Sequence, residues 1–173
     1  MLSWFKTLNP AHLAFLIGGV AVATIAGAWI FQAYGIAPCE LCLKQRIAYY
    51  YGIPLAALTF FMAQGTRYRS IVSAGFIALA LLFVFNSGFG VYHSGVEWGW
   101  WPGPTECTGA IQKAGAVTDF LKQLETTKVV RCDAVAIRIL GLSLAGWNAV
   151  ICSGLALVAV AGARQTLSLF KRA

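Results

Sequence analysis

Uncharged apolar runs constrain this chain more than any other feature of its sequence. Leu13–Phe31 extends for 19 residues and Ile71–Tyr92 for 22, and neither holds a charged side chain. Ile47–Ala63, at 17 residues, and Ile139–Ala163, at 25, are uncharged as well. A helix crosses the hydrocarbon of a bilayer with about 20 apolar residues, within a range of roughly 17–25. The spacing therefore predicts an all-α membrane protein, a four-transmembrane-helix bundle forming a single domain over residues 1–173. Only 11% of the residues are charged, against about 25% in soluble domains, so an aqueous surface could not be covered. With 59% apolar residues, disorder is excluded too. Pro54 and several glycines lie inside the runs, where neighbouring helices can re-satisfy the backbone. Ala26-Gly27-Ala28 has the small-residue spacing of a signal cleavage site. The run around it is longer than the 7–15 residues of a signal core, roughly, and the expectation is a retained span.

Charge sorts by loop. Lys6, Arg67, Arg69, Arg164, Lys171 and Arg172 lie in the N-terminus, the second loop and the C-terminus, with no acid among them. The first and third loops, about 32–46 and 93–138, hold the other seven basic residues and all six acids. Basic residues flanking spans mark the cytoplasmic side. Both termini are thus expected in the cytoplasm and the two longer loops on the outer face. The net charge of +7 reports topology and implies no nucleic-acid partner; the lipid bilayer is the partner it describes.

Four of the five cysteines fall in the outer loops, on the side where disulfides persist. Cys39 and Cys42 form a CxxC just before the second run, Cys107 and Cys132 lie in the third loop, and Cys152 sits within the fourth run. Cys152 reads as a small buried hydrophobe. Pro38 is suited to a helix's first turn, so the second helix is expected to begin near it. A thiol there meets the positive end of the helix dipole and loses its proton more readily. Arg46 lies four residues after Cys42, one turn along the same face, where a cation would favour the Cys42 thiolate. A cation so close to hydrocarbon is costly, which points to function. Structural bridges are the alternative. In the chain-entropy account a four-residue loop contributes about 2 kcal/mol, and a bridge between Cys107 and Cys132 about 3.5 kcal/mol. The CxxC is therefore the weaker staple and the better switch. Zinc is a further alternative, but the paired-CxxC pattern of zinc ribbons is missing, so no metal site is expected.

Within the third loop Val117, Phe120, Leu121 and Leu124 recur at helical spacing. A short amphipathic helix is expected there, lying on the outer membrane surface or packing on the loop itself. Trp98, Trp100 and Trp101 are suited to anchor the interface. His93 and Trp147 fall near the outer ends of spans, where composition alone reads them as interfacial residues.

These features together resemble the DsbB family of bacterial inner-membrane thiol oxidases. The resemblance rests on Phe31-Gln32, on Pro38-Cys39-Glu40-Leu41-Cys42-Leu43-Lys44-Gln45-Arg46 at the head of the second span, and on a second cysteine pair in the next outer loop. It implies an inner-membrane protein that reoxidises a DsbA-like periplasmic thiol oxidase and passes two electrons to a membrane quinone, ubiquinone or menaquinone. Cys107 would be attacked by the partner's thiolate, with Cys132 as its resolving mate. The Cys39–Cys42 pair would reoxidise them, Cys42 facing the quinone. Arg46 would stabilise the Cys42 thiolate and charge developing on the quinone. Trp147, fifteen residues after Cys132, resembles the family's quinone-side tryptophan, and His93 a histidine near the ring. Tyr49 and Tyr50 are expected to join Trp147 in holding it. Leu144 stands where some members place methionine, which leaves the choice of quinone open. A DsbA-type oxidase is itself a strong oxidant, at about −120 mV, so its reoxidation needs a more oxidising sink.

Two other readings share some of these features. A vitamin K epoxide reductase-like quinone reductase also joins paired cysteines to a quinone, but its CxxC follows the loop pair instead of preceding it. A four-span scaffold or adhesion protein would use outer disulfides as braces, and a CxxC with Arg46 braces nothing. The topology has a direct test. Reporter fusions at Gly65 and at the C-terminus are both expected to report cytoplasm, and an outer-side signal from either overturns the arrangement.

Overall fold

The computed structural model describes residues 9–65, 67–104 and 131–170. Among them the chain forms four long helices: α1 (Pro10–Ala33), α2 (Glu40–Met62), α3 (Arg69–Glu97) and α4 (Leu144–Phe170). Three of these, α1, α3 and α4, are long and apolar enough to cross a bilayer, which makes the chain a multi-pass membrane protein. Gln45, Arg46 and the Tyr49-Tyr50-Tyr51 run leave α2 more polar than the rest. Cys107 and the expected amphipathic segment around Val117–Leu124 lie outside the described residues.

The ends of α1 and the start of α2 have local causes. Asn9 caps α1 by accepting the Ala11 N–H at 3.2 Å, and Pro10 occupies the first helical position, where its missing N–H costs nothing. Beyond Tyr34, Gly35 takes φ 89°, a left-handed turn that ends the helix. Pro38 stands one residue before the cap of α2, so it delimits that helix from outside its first turn. Pro54, inside α2, is carried by the packing around it.

Two boundaries differ from those read in the sequence. α3 continues to Glu97, past the expected end at Tyr92, so His93 lies in a buried helical turn and not in a loop. The fourth helix starts at Leu144, five residues after Ile139. Arg138–Ile139 (β1) and Leu142–Ser143 (β2) instead pair antiparallel, joined by Leu140 at φ 51° and Gly141 at φ 83°. Two successive positive φ values make the hairpin turn whose twist matches its strands, and they cannot continue a helix. An apolar run with no charge hides such a turn, because hydropathy carries no dihedral information.

The core is a band through the bundle containing Leu13 and Ile17 of α1, Tyr49 and Ala56 of α2, Phe76 and Phe83 of α3, and Leu155 and Ala159 of α4. Outward the surface is also apolar: Phe15, Leu81, Phe85 and Leu157 are exposed, as a lipid-facing surface requires. Without water to drive helices together, close approach supplies the attraction. Gly90 of α3 and Gly162 of α4 permit it. A Cβ on Gly90 would stand 2.9 Å from the backbone nitrogen of Ala149. Gly90→Leu is therefore expected to destabilise the protein by about 1–3 kcal/mol, the usual cost of overpacking. Thermal unfolding in detergent checks this, and an unchanged Tm would contradict the packing.

Candidate functional site

The site begins at the N-terminus of α2. Cys39 is the cap residue, and its sulfur accepts the Cys42 backbone N–H at 3.3 Å, as a cap oxygen does elsewhere. The CxxC spacing places the Cys42 sulfur one turn on, 2.8 Å from that of Cys39, both free. The extra turns of α3 bring in His93, whose Nε2 lies 3.6 Å from the Cys39 sulfur. Gln45 donates through Nε2 to His93 Nδ1 at 3.4 Å, which leaves Nε2 as the nitrogen carrying the proton toward the sulfur. Glu97, one turn after His93, places Oε1 4.0 Å from the same Nε2.

This surrounding decides which sulfur is the anion. The proton shared with Cys42 outweighs the cost of burial, and together with His93 and the Cys42 N–H it brings Cys39 down to about 4. The sequence pointed to Cys42 and to Arg46 as its cation. Arg46 instead donates to Gln32 Oε1 at 2.7 Å and to the Ala28 carbonyl at 3.4 Å, tying α2 to the end of α1. The proton shared by the pair stays with Cys42, and the groups that favour a thiolate, the cap N–H and the histidine, converge on Cys39.

Cys39 and Cys42 face different surroundings. Cys132 is disulfide-bonded and packs in one buried cluster with Cys39, Leu41 and Val96, with Cys42 at its margin. On the other side lies a cavity of about 340 Å³ walled by Cys42, Arg46, Phe31, Leu144 and Trp147, among others. Cys39 is absent from that wall. Trp147 is held there by donating from Nε1 to the Ile139 carbonyl at 2.9 Å, so the unforeseen hairpin positions it. His93 does not line the cavity; it backs Cys39, and reaches the cavity only through that sulfur's partner Cys42. Tyr50 also departs from expectation. It packs outside on Trp29, ring centroids 6.5 Å apart, whereas Tyr49 is buried and does reach the cavity.

A metal is the other occupant such a cluster suggests, since Cys39, Cys42 and His93 bring their ligand atoms within 4.8 Å of one another. Two thiolates on one tetrahedral zinc stand about 3.8 Å apart, from bonds of about 2.3 Å. At 2.8 Å the sulfurs are spaced for proton sharing and exchange instead. Several participants escaped the sequence reading. Glu97 was legible as a partner of His93 at helical spacing, had α3 been extended. Gln45 lies in the motif itself but carries no chemistry until His93 is beside it. Asn148, on the cavity wall, gave no signal.

The chain matches known proteins over most of its length. The family model described as disulfide bond formation protein DsbB matches residues 10–162. The disulfide bond formation protein B of Verminephrobacter eiseniae is 28% identical over 170 residues, covering 91% of this chain and 92% of that one. An uncharacterized protein of Rickettsia prowazekii, RP370, is 28% identical over 147 residues, covering 83% of this chain and 79% of its own. No solved structure matches significantly.

The assignment of the anion to Cys39 has a pH signature. Because its thiol is depressed, the thiolate persists in the reduced protein at all pH above about 4 and is lost below. Ultraviolet thiolate absorbance is expected to show that midpoint. His93→Phe removes one of the groups that lower it, so the midpoint must rise. A midpoint in the ordinary thiol range in the parent protein would sink the assignment.

Proposed function

The chain belongs to the DsbB family of disulfide bond formation proteins, and from that premise we propose that it is a membrane thiol oxidase that reoxidises a DsbA-like periplasmic dithiol and delivers two electrons to a membrane quinone. In this reading α2 is the fourth span, both termini face the cytoplasm, and the bilayer is the bacterial inner membrane. The observation that carries the proposal is the division of the CxxC: Cys39 packs with Cys132, and Cys42 lines the cavity.

The exchange steps follow from that division. The partner's thiolate attacks Cys107 of the loop disulfide and releases Cys132 as a thiolate. The partner's second thiolate then attacks its own sulfur in the mixed disulfide, leaving with a disulfide while Cys107 departs as thiolate. Cys132 attacks Cys39 in the oxidised CxxC, and Cys42 is expelled. Cys107 next attacks Cys132, re-forming the loop disulfide and expelling Cys39. The depressed proton affinity of Cys39 suits this last step, because a thiol of low pKa leaves faster. Two electrons now reside on the CxxC, the state of free Cys39 and Cys42 with Cys132 bridged.

The cavity's donor set fits a flat, largely apolar acceptor with carbonyl oxygens. Apolar side chains form most of the wall, and a thiol and a guanidinium stand on it. A bound quinone, ubiquinone or menaquinone, supplies the two-electron sink. Cys42 meets the cavity, and Arg46, held by Gln32 and the Ala28 carbonyl, fixes a cation at its wall. Trp147 and Leu144 add apolar surface to the same wall. A bracing role for the cysteines leaves the thiol pair beside His93 unexplained, since free thiols brace nothing.

The test combines turnover with trapping. Purified protein, a reduced DsbA-type partner and a short-tailed benzoquinone are expected to yield one oxidised partner per quinone reduced. Cys42→Ala is expected to stop quinone reduction and to accumulate a Cys39–Cys132 disulfide, identified by peptide mapping without reductant. Cys39→Ala accumulates no bridge from Cys42 to Cys132. Normal turnover in either variant, or a trapped Cys42–Cys132 bridge, defeats the proposal.

A further inference from the structure

Inside the bundle lies a polar cluster that the exchange chemistry does not use. The Tyr49 hydroxyl on α2 donates to Asn148 Oδ1 on α4 at 2.7 Å and lies 3.2 Å from the Cys152 sulfur. Asn86 on α3 donates through Nδ2 to the Cys152 sulfur at 3.3 Å, and the Cys152 thiol donates to Asn148 Oδ1 at 3.7 Å. All four residues are at most 9% exposed, and Cys152, buried in the apolar core as the sequence reading expected, also joins these hydrogen bonds through its sulfur. Hydrogen bonds of this kind hold helices together in an apolar interior. That role accounts for every group in the cluster except one.

The exception is Asn148 Nδ2. The Tyr49 hydroxyl and the Cys152 thiol both donate to the amide oxygen. The nitrogen is left over, and it is the only buried side-chain nitrogen among the described residues without a hydrogen-bond partner. An unmet buried donor carries its full desolvation cost, which gluing helices does not repay. Asn148 also forms part of the wall of the cavity shared by Cys42 and Arg46, as does Tyr49. Tyr49 follows Cys42 by seven residues on α2, a rise of about 10 Å. The cavity thus has a sulfur and a cation near one end, and toward the other a wall residue, Asn148, whose amide nitrogen is unmet and enclosed.

We propose that Asn148 is a second carbonyl-binding residue of the quinone site, donating from Nδ2 to the ring oxygen remote from Cys42, with Tyr49 as the positioning residue that holds the amide. The inference rests on the reading of the cavity as a quinone site. It adds a determinant that a chain with an apolar side chain at this position would lack. A ligand with two opposed carbonyls satisfies both ends at once, and a ligand with none leaves Asn148 as it stands. Benzoquinones and naphthoquinones share that chemistry.

The experiment measures binding, not turnover. The purified full chain in detergent is titrated calorimetrically with a short-tailed benzoquinone and with an alkylbenzene of the same tail that lacks the ring oxygens. Asn148→Leu is expected to weaken quinone binding about 5–10-fold, the usual range for losing a neutral hydrogen bond, while alkylbenzene binding stays unchanged. Tyr49→Phe loses less, about 2–5-fold on the same scale, because the amide remains but is free to turn. The bound quinone's carbonyl stretch, lowered in the parent protein, returns toward its free value in Asn148→Leu. If Asn148→Leu does not fold, Asn148→Ser carries the same comparison with the same expected loss. Parent protein that fails to bind the quinone overturns the cavity reading itself. Parent protein that binds, with affinity and carbonyl stretch unmoved in the Asn148 variants, overturns this inference alone. Equal losses for quinone and alkylbenzene also overturn it, since they mark a collapsed wall.

Discussion

The hydrogen bond across the CxxC, 2.8 Å between the sulfurs of Cys39 and Cys42, sits where the constraints on this chain intersect. A helix that starts inside an apolar bundle must have its first N–H groups satisfied, and water is scarce there. Cys39 meets that need with sulfur in place of the usual oxygen. In doing so it collects the dipole, the cap N–H and the shared proton on one atom. Capping and thiolate stabilisation are the same contact viewed from the backbone and from the side chain.

Burial of that contact gives the site its two faces. A thiolate in the interior is costly unless its lone pairs are taken up, and Cys42, the Cys42 N–H and His93 supply the partners. His93 in turn is held by Gln45 and stands beside Glu97. Of these groups only Cys42 and Gln45 reach the cavity wall, whereas Cys39, His93 and Glu97 do not, so the anion is kept on the side of Cys132. The cavity side carries Cys42 and Arg46. In the proposed cycle the separation lets one sulfur pair meet a protein disulfide and a membrane-soluble acceptor without bringing them together.

Most polar groups in the helix interior are explained by the packing, and an amide at the cavity is not. Thr59 and Thr166 return their hydroxyls to carbonyls of their own helices. Ser87 reaches the Ala149 carbonyl and Ser153, and the close contact of α3 with α4 at Gly90 makes that possible. Tyr49, Asn86 and Cys152 satisfy one another. Among the described residues Asn148 has the one buried side-chain nitrogen without a partner, and it belongs to the cavity wall. Since the apolar interior penalises every unpaired donor, such a residue is informative where the same asparagine on a soluble surface would say nothing.

The amino-acid sequence by itself determined the features that depend on composition and spacing. Apolar runs of about 20 residues specify helices in a membrane, and α1, α3 and α4 cover three of the four runs. The CxxC at a helix start specifies two sulfurs one turn apart. What only the tertiary structure decided depends on which elements meet. Hydropathy could not reveal that Leu140 and Gly141 turn a hairpin inside an apolar run, nor that α3 keeps its helix through His93 to Glu97. Both outcomes are set by backbone dihedrals and packing. Helical spacing put Arg46 on the face of Cys42, but its long side chain took the acceptors offered by α1. The choice of Cys39 as the anion, and the meeting of Tyr49 with Asn148 across 99 positions of sequence, likewise arise from contacts between helices. No single-sequence periodicity encodes such contacts, because each helix records only which of its own faces is apolar.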